Sequence, residues 1–245
     1  MRARRGGWRI ACLIYAGLHL VVALPLQMSV VRKAPAPVAP KSTDDSVSRP
    51  AEPARIANET VIFALLAVVL SVAAGIGSIV IVNFMIFLQA RGVDYAVAVS
   101  LGTLFGPAQV GARVVERLFG NRYHPIWTMI ASCTLMAVGL MLLLGHFAIL
   151  PLIILLYGAG YGISWIGRGT LPLALFGPVR FPRLMGKLAF PSLIVQAAAP
   201  SAGAWLIEAS GPNATIGLLT GLALINVALI GVLWMTCRAQ ISSDA

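Results

Sequence analysis

Seven long apolar runs, with charge confined to the gaps between them, constrain this chain more than any other feature. They cover approximately Ile10–Val30, Val61–Leu88, Tyr95–Arg113, Pro125–Leu144, Phe147–Ile166, Leu188–Ile207 and Thr215–Cys237. A run of about 20 residues, rising about 1.5 Å per residue as a helix, crosses the hydrocarbon of a bilayer. The runs are apolar on every face and lack period-2 alternation, which predicts helices and argues against a barrel. Composition agrees: 59% of the 245 residues are hydrophobic and 11% are charged. Soluble domains carry about 25% charged residues, and a water-exposed surface cannot be built from so few. The predicted fold class is therefore all-α, a polytopic transmembrane helical bundle of about seven spans. Residues 1–30 form the first helix, 31–58 a linker, 59–238 a six-helix block and 239–245 a tail.

The linker is distinct in kind. Pro35, Pro37, Pro40, Pro50 and Pro53 stand among Lys41, Asp44, Asp45, Arg49 and Glu52, leaving no apolar face to bury. Asn58 and Glu59 suit the start of the following helix as cap and first-turn acid. Asn58 and Asn213 each begin a glycosylation sequon, but helix-start chemistry accounts for both. Thirteen of the 18 basic residues fall on the linker side of the predicted spans, and five on the other. The positive-inside rule then places the linker and the C-terminus in the cytoplasm. It leaves Arg2, Arg4, Arg5 and Arg9 outside, against the rule. Three readings address this: a signal peptide over residues 1–27, a first helix overruled by the other six, or a chain that is the tail of a longer protein. The last is preferred here. Net charge of +10 follows from the same asymmetry and implies no nucleic-acid partner. Cys12, Cys133 and Cys237 lie in apolar runs without metal-ligand spacing and read as small apolar residues.

The loop after the third run is the most specific local pattern. It reads Gly106-Pro107-Ala108-Gln109-Val110-Gly111-Ala112-Arg113-Val114-Val115-Glu116-Arg117-Leu118-Phe119-Gly120-Asn121-Arg122. It resembles the cytoplasmic signature of the major facilitator superfamily, G-x-x-x-D-R-x-G-R-R. Glu116 stands at the acidic position, Arg117 at the base after it, and Gly120 and Arg122 at the later glycine and base. Glu replaces Asp, and one extra residue precedes Gly120. The signature's place, after the second of six helices, agrees. Gly7-Trp8-Arg9 looks like the outer turn entering the sixth helix of such a carrier, and Tyr157–Gly177 resembles its tenth. The resemblance implies a first helix ending one half of a carrier, a central linker, and the six-helix C-terminal half. A complete member binds a small solute between two halves near the midplane, so the resemblance further implies a truncated chain lacking the rest of its N-terminal half as partner.

On that resemblance Glu116, Arg117, Gly120 and Arg122 are gating residues. Glu116 is expected to engage the start of the neighbouring sixth span near Gly186-Lys187-Leu188, a helix N-terminus that attracts a carboxylate. The alternative is a plain basic loop. Arg168, at the inner end of the fifth span, either pairs with Glu116, snorkels to the interface, or contacts an anionic substrate. The few polar residues within spans, Asn83, Gln109, Gln196 and Asn226, with the aromatic face Tyr157, Tyr161 and Trp165, suit either a cavity lining or interhelical bonds. Asn83, Gln109, Tyr161 and Gln196 are taken as the cavity candidates. The glycines at 158, 160, 162, 167 and 169 suit close helix contact.

Asp and Glu are absent from the middle of every span, so coupling to protons would need the missing half, with His19 as the alternative titrating group. The histidines at 19, 124 and 146 are scattered and no carboxylate pair occurs, which argues against an integral-membrane enzyme. No cofactor is implied. A seven-helix retinal protein would need a lysine in the last span, and there is none. The expected function is secondary transport of a small solute across the bacterial cytoplasmic membrane. The rival is a non-transporting remnant of a carrier.

Overall fold

A computed structural model describes residues 7–30 and 59–241. The linker 31–58, Arg2, Arg4, Arg5 and residues 242–245 lie outside the described residues. Contacts divide the chain into two units, Met1–Glu52 and Pro53–Ala245. Every described element is helical.

In the first unit, α1 (Gly7–Leu18) and α2 (Leu24–Val30) are joined by a π-helical turn, His19–Ala23. There the Leu24 N–H donates to His19 O, and the His19 Nδ1–H donates to Tyr15 O at 2.9 Å. His19 is thus held by its own helix.

The second unit contains α3 (Glu59–Gln89), α4 (Tyr95–Gly102), α5 (Phe105–Phe119), α6 (Pro125–Leu144), α7 (Leu150–Ser210) and α8 (Pro212–Ile241). Among the described residues α3, α6, α7 and α8 are each long and apolar enough to cross a membrane. Asp94 caps α4, accepting from Ala96 N at 2.9 Å, and His124 caps α6, accepting from Ile126 N at 3.2 Å. The predicted third span is interrupted. Pro107 has no N–H to donate and therefore sits in the first turn of a new helix, α5, where none is needed.

The 61 residues of α7 would reach about 90 Å as one straight helix. They do not. The Arg168 guanidinium donates to Ser192 Oγ, 24 residues on, a contact that only a folded-back chain permits. The reversal is at Gly177, with φ 72° and ψ 166°, a conformation open to glycine alone. Pro178 follows; it excludes the α region for its predecessor and starts the next helix. Gly211-Pro212, between α7 and α8, repeats the device with φ 82° and ψ 161°. α7 is therefore a hairpin of two limbs, 150–176 and 178–210. The sequence reading ended the fifth span at Ile166 and began the sixth at Leu188, with a loop between. The structure corrects this: both limbs run on as helix to Gly177. Arg180, Arg183 and Lys187 keep the i, i+3, i+7 spacing of one helix face, and Leu184 and Leu188 lie about a quarter-turn away, toward the core.

Two apolar layers set the direction of each helix. One joins Ile62, Leu66 and Leu70 of α3 to Ile126 and Met129 of α6, Leu171 and Phe176 of the first limb, Leu188 of the second, and Ile230 to Cys237 of α8. The other joins Ile76 to Leu88, Ala98 and Leu101 of α4, Met136 to Leu143, Ile153 to Tyr157, Ala199, and Ile216 to Ala223. Reading from layer to layer, α3, α6 and the second limb run one way, and the first limb and α8 the other.

The first limb is packed by α3, α5 and α6 at backbone distance. A Cβ at Gly160 would lie 2.8 Å from Met136 N and Ser132 O of α6; one at Gly162 would lie 2.7 Å from Gln109 Cα of α5. Backbone atoms cannot rotate away. Alanine gains about 1 kcal/mol of helix propensity over glycine, but overpacking costs about 1–3 kcal/mol. Gly160→Ala is therefore expected to lower the thermal midpoint of the detergent-purified protein. Gly169→Ala, where nothing lies within 4 Å, should leave it unchanged or raise it.

Candidate functional site

The signature residues gather where α5 meets α6. Glu116, near the C-terminal end of α5, accepts from Tyr123 Oη at 2.7 Å and from Thr128 Oγ1 at 2.5 Å. Its carboxylate thus spans the turn at 120–124 and fastens the end of one helix to the first turns of the next. Gly120 is part of this arrangement, because a Cβ there would stand 2.7 Å from Glu116 Oε1. Next to the carboxylate, a cavity of about 390 Å3 is lined by Arg113, Glu116, Arg117, Gly120, Pro125, Thr128, Ile166 and Thr170. Arg113 crosses to the first limb, donating from Nε to Gly162 O at 3.1 Å. Arg122 stands apart, exposed and 5.8 Å over the Phe119 ring.

The expected contacts of Glu116 are not the ones seen. Its partners are Tyr123 and Thr128, not Arg168 and not the chain near Gly186-Lys187-Leu188. The physical reason is the longer second limb: residues 186–188 lie inside a helix whose N–H groups are already bonded, so they offer no free helix start. At the true start of that limb the acid is Glu59. Arg180 Nη1 lies 2.9 Å from Glu59 Oε2, joining the first turn of α3 to the first turn of the second limb. The sequence reading placed Glu59 in the first turn of its helix, where it stands, but counted Arg180 only as flanking charge. Spacing along the chain gives no hint of a pair 121 residues apart.

Arg168 belongs to a second place. Between the two apolar layers lies a belt that holds several polar groups, among them the buried Ser132, Ser192 and Asn226. Ser132 Oγ donates to Gly160 O at 2.8 Å, Ser78 Oγ to Gln196 O at 2.9 Å, and Asn226 Nδ2 to Cys133 Sγ at 3.5 Å. Arg168 projects from the first limb into this belt, half-buried, with its guanidinium on Ser192 Oγ and 4.9 Å from the Trp165 ring centroid. A small recess there is lined by Leu70, Ala73, Ala74, Met129, Tyr161, Ser164, Trp165, Arg168 and Gln196. Three sequence-derived residues, Tyr161, Gln196 and Arg168, are thus brought together. Tyr161 and Trp165 meet edge to face at 6.1 Å.

The other two cavity candidates are elsewhere. Gln109 borders a separate, mostly apolar cavity of about 380 Å3 with Phe84, Met85 and Phe105. Asn83 is buried and donates to Ile79 O of its own helix at 3.0 Å. It is a packing group, closely faced by Gly203. Among the described residues no three His, Cys, Asp or Glu side chains gather as a metal site.

The Tyr123 phenol is raised above its ordinary range, first because its O–H donates to Glu116, then through desolvation and the carboxylate's charge. A raised value means this bond supports the fold below the ordinary phenol range and is lost as pH climbs through the raised value. Glu116→Gln should lower the Tyr123 transition. A tyrosinate-absorbance titration, with Tyr123→Phe as the reference, reads it; an unmoved transition would show that the carboxylate does not act on this phenol. Comparison of the chain with family models, with curated proteins and with solved structures gives no match.

Proposed function

We propose that the chain is one half of a secondary carrier of the major facilitator type, moving a small solute across a bacterial cytoplasmic membrane by alternating access. The observation that carries this reading is the hairpin at Gly177, which turns four long apolar helices into a serial arrangement of alternating direction. With α4 and α5 as one interrupted crossing, residues 59–241 make six crossings, and 7–30 a seventh. The linker and C-terminus are cytoplasmic, Glu116 and Arg180 stand at the cytoplasmic helix ends, and the apolar layer of Ile62, Ile126 and Phe176 fills the half of the span nearer that side.

The glycine-lined first limb supports movement. Its contacts with α5 and α6 depend on backbone proximity, and such surfaces slide without dragging side chains through one another. Glu116 is the catch at the cytoplasmic corner. Bonded to Tyr123 and Thr128, it holds α5 against α6 and narrows the way into the 390 Å3 cavity. A second helical half, against which this one rocks, completes the solute path. Among the described residues no acid lies in the belt, so if transport is coupled to protons the coupling carboxylate belongs to that second half. The non-transporting remnant stands as the rival, and function in vesicles separates the two.

Two labelling experiments test the reading, both in a background lacking Cys12, Cys133 and Cys237. A cysteine at Thr170, which lines the cavity, should react with an impermeant maleimide in inside-out vesicles. Adding Glu116→Gln should raise the rate by up to ~10-fold, the effect of losing charge-assisted hydrogen bonds. An unchanged rate removes Glu116 from gating. A cysteine at Ser46, in the linker, should be labelled only after intact cells are permeabilised; labelling before that inverts the orientation.

A further inference from the structure

Arg168 lies deeper than the sequence suggests. The first limb continues eight residues past it to Phe176, about 12 Å. A guanidinium so placed cannot simply reach the interface as one at a helix end does. It also has no acid: among the described residues the ion pair present is Arg180 with Glu59. Its protein partners are a neutral hydroxyl and an indole face. A half-buried charge without a counter-ion, between two apolar layers, is costly, and such residues mark ligand paths.

The lining says which ligand. Of the residues around the recess and its neighbour, Arg168 is the one charged group; the rest are apolar, aromatic, or the neutral Ser164, Ser192 and Gln196. One fixed positive charge balances one negative charge. A guanidinium fork matches a carboxylate in two parallel hydrogen bonds, whereas a doubly charged phosphate would call for further cations. Trp165, 42% exposed, offers a broad apolar surface beside the charge, with Tyr161 set against it. The spaces beside Arg168 are about 10 and 40 Å3, room for water only, so a solute would sit on the exposed side of Trp165 and Arg168.

We propose that Arg168, Trp165 and Gln196 form a recognition site for an organic monoanion, a carboxylate on an apolar or aromatic body. As a transported substrate this rests on the carrier reading; as a bound ligand it does not.

The full-length chain in phosphatidylcholine nanodiscs is titrated with benzoate and with its neutral isostere benzamide, read by calorimetry. Benzoate should bind saturably and benzamide at least ~10-fold more weakly. Arg168→Gln should erase that difference, and Arg168→Lys should keep part of it. No benzoate binding, equal binding of the two probes, or an undiminished preference in Arg168→Gln overturns the site. If Arg168→Gln fails to fold, phenylglyoxal modification of the native protein replaces it. Benzoate should slow modification at Arg168 but not at exposed Arg117, and benzamide at neither; lack of protection overturns the site. Nanodiscs containing phosphatidylglycerol separate the two sources of an anion. Benzoate binding that survives supports a solute, and binding abolished by the anionic lipid assigns the place to headgroups and overturns it. Uptake into vesicles of the host membrane, which supply the completing half, then divides the two readings. Benzoate bound by the chain but not carried there retains the site and removes the carrier; benzamide carried as fast as benzoate retains the carrier and removes the anion site.

Discussion

The close approach of the first limb of α7 to its neighbours underlies the rest of this structure. Lipid tails are as apolar as the helices, so burial of apolar surface gives little drive for helices to associate in a membrane. Contact must come from packing and from hydrogen bonds. Gly160 and Gly162 supply both. Without side chains they let Ser132 and Gln109 come to backbone distance. Their carbonyls, left uncovered, then accept from Ser132 Oγ and Arg113 Nε. Close packing and cross-helix bonding are thus one event. It centres the limb among α3, α5 and α6, and it brings the Tyr161 ring onto Gly77 of α3, where a Cβ would collide with it.

Two charged places result, and they differ physically. At the layer of Ile62, Ile126 and Phe176, charges meet partners: Glu59 holds Arg180, and Glu116 holds two hydroxyls. Both lie where water screens them, so each bond is modest and can exchange. Between the layers the dielectric is lower, and Arg168 meets hydroxyl and ring but no acid. Weak, exchangeable bonds suit a corner that opens and closes. An unbalanced charge suits a place that waits for a counter-ion. The same residue types serve opposite ends because depth sets what a charge is worth.

Much of the fold was legible because apolar run length maps directly onto helix length. α3, α6 and α8 begin and end within a few residues of their expected bounds. What misled was charge. Arg168 was read as the inner end of the fifth span and Arg180, Arg183 and Lys187 as the gap after it, since four cations in 20 residues look like a break between spans. The i, i+3, i+7 spacing of Arg180, Arg183 and Lys187 was the overlooked signal, and Gly177-Pro178 was the overlooked turn. At the candidate sites, local relations were readable: Gly120 beside Glu116, and Tyr161 with Trp165 on one face. Partners distant in sequence were not. Arg180 with Glu59, and Arg168 with Ser192, depend on where the hairpin folds, which no window along the chain contains.

That fold-back point also fixes what Arg168 can be. Arg168 bonds Ser192 across the hairpin, and Ser164, Trp165 and Gln196 line one recess beside it, so the depth of Arg168 is set by its eight-residue distance from Phe176. A reversal one or two turns earlier would place the guanidinium at the helix end. There it would join Arg180 and Arg183 as one more interfacial cation, with water to solvate it. Held where it is, its cost is met only in part, by a serine and an indole. A conserved register is not needed to see this; the geometry of one hairpin suffices. The position of a single Gly-Pro dipeptide decides whether this arginine is a topology signal or the charged centre of a binding recess.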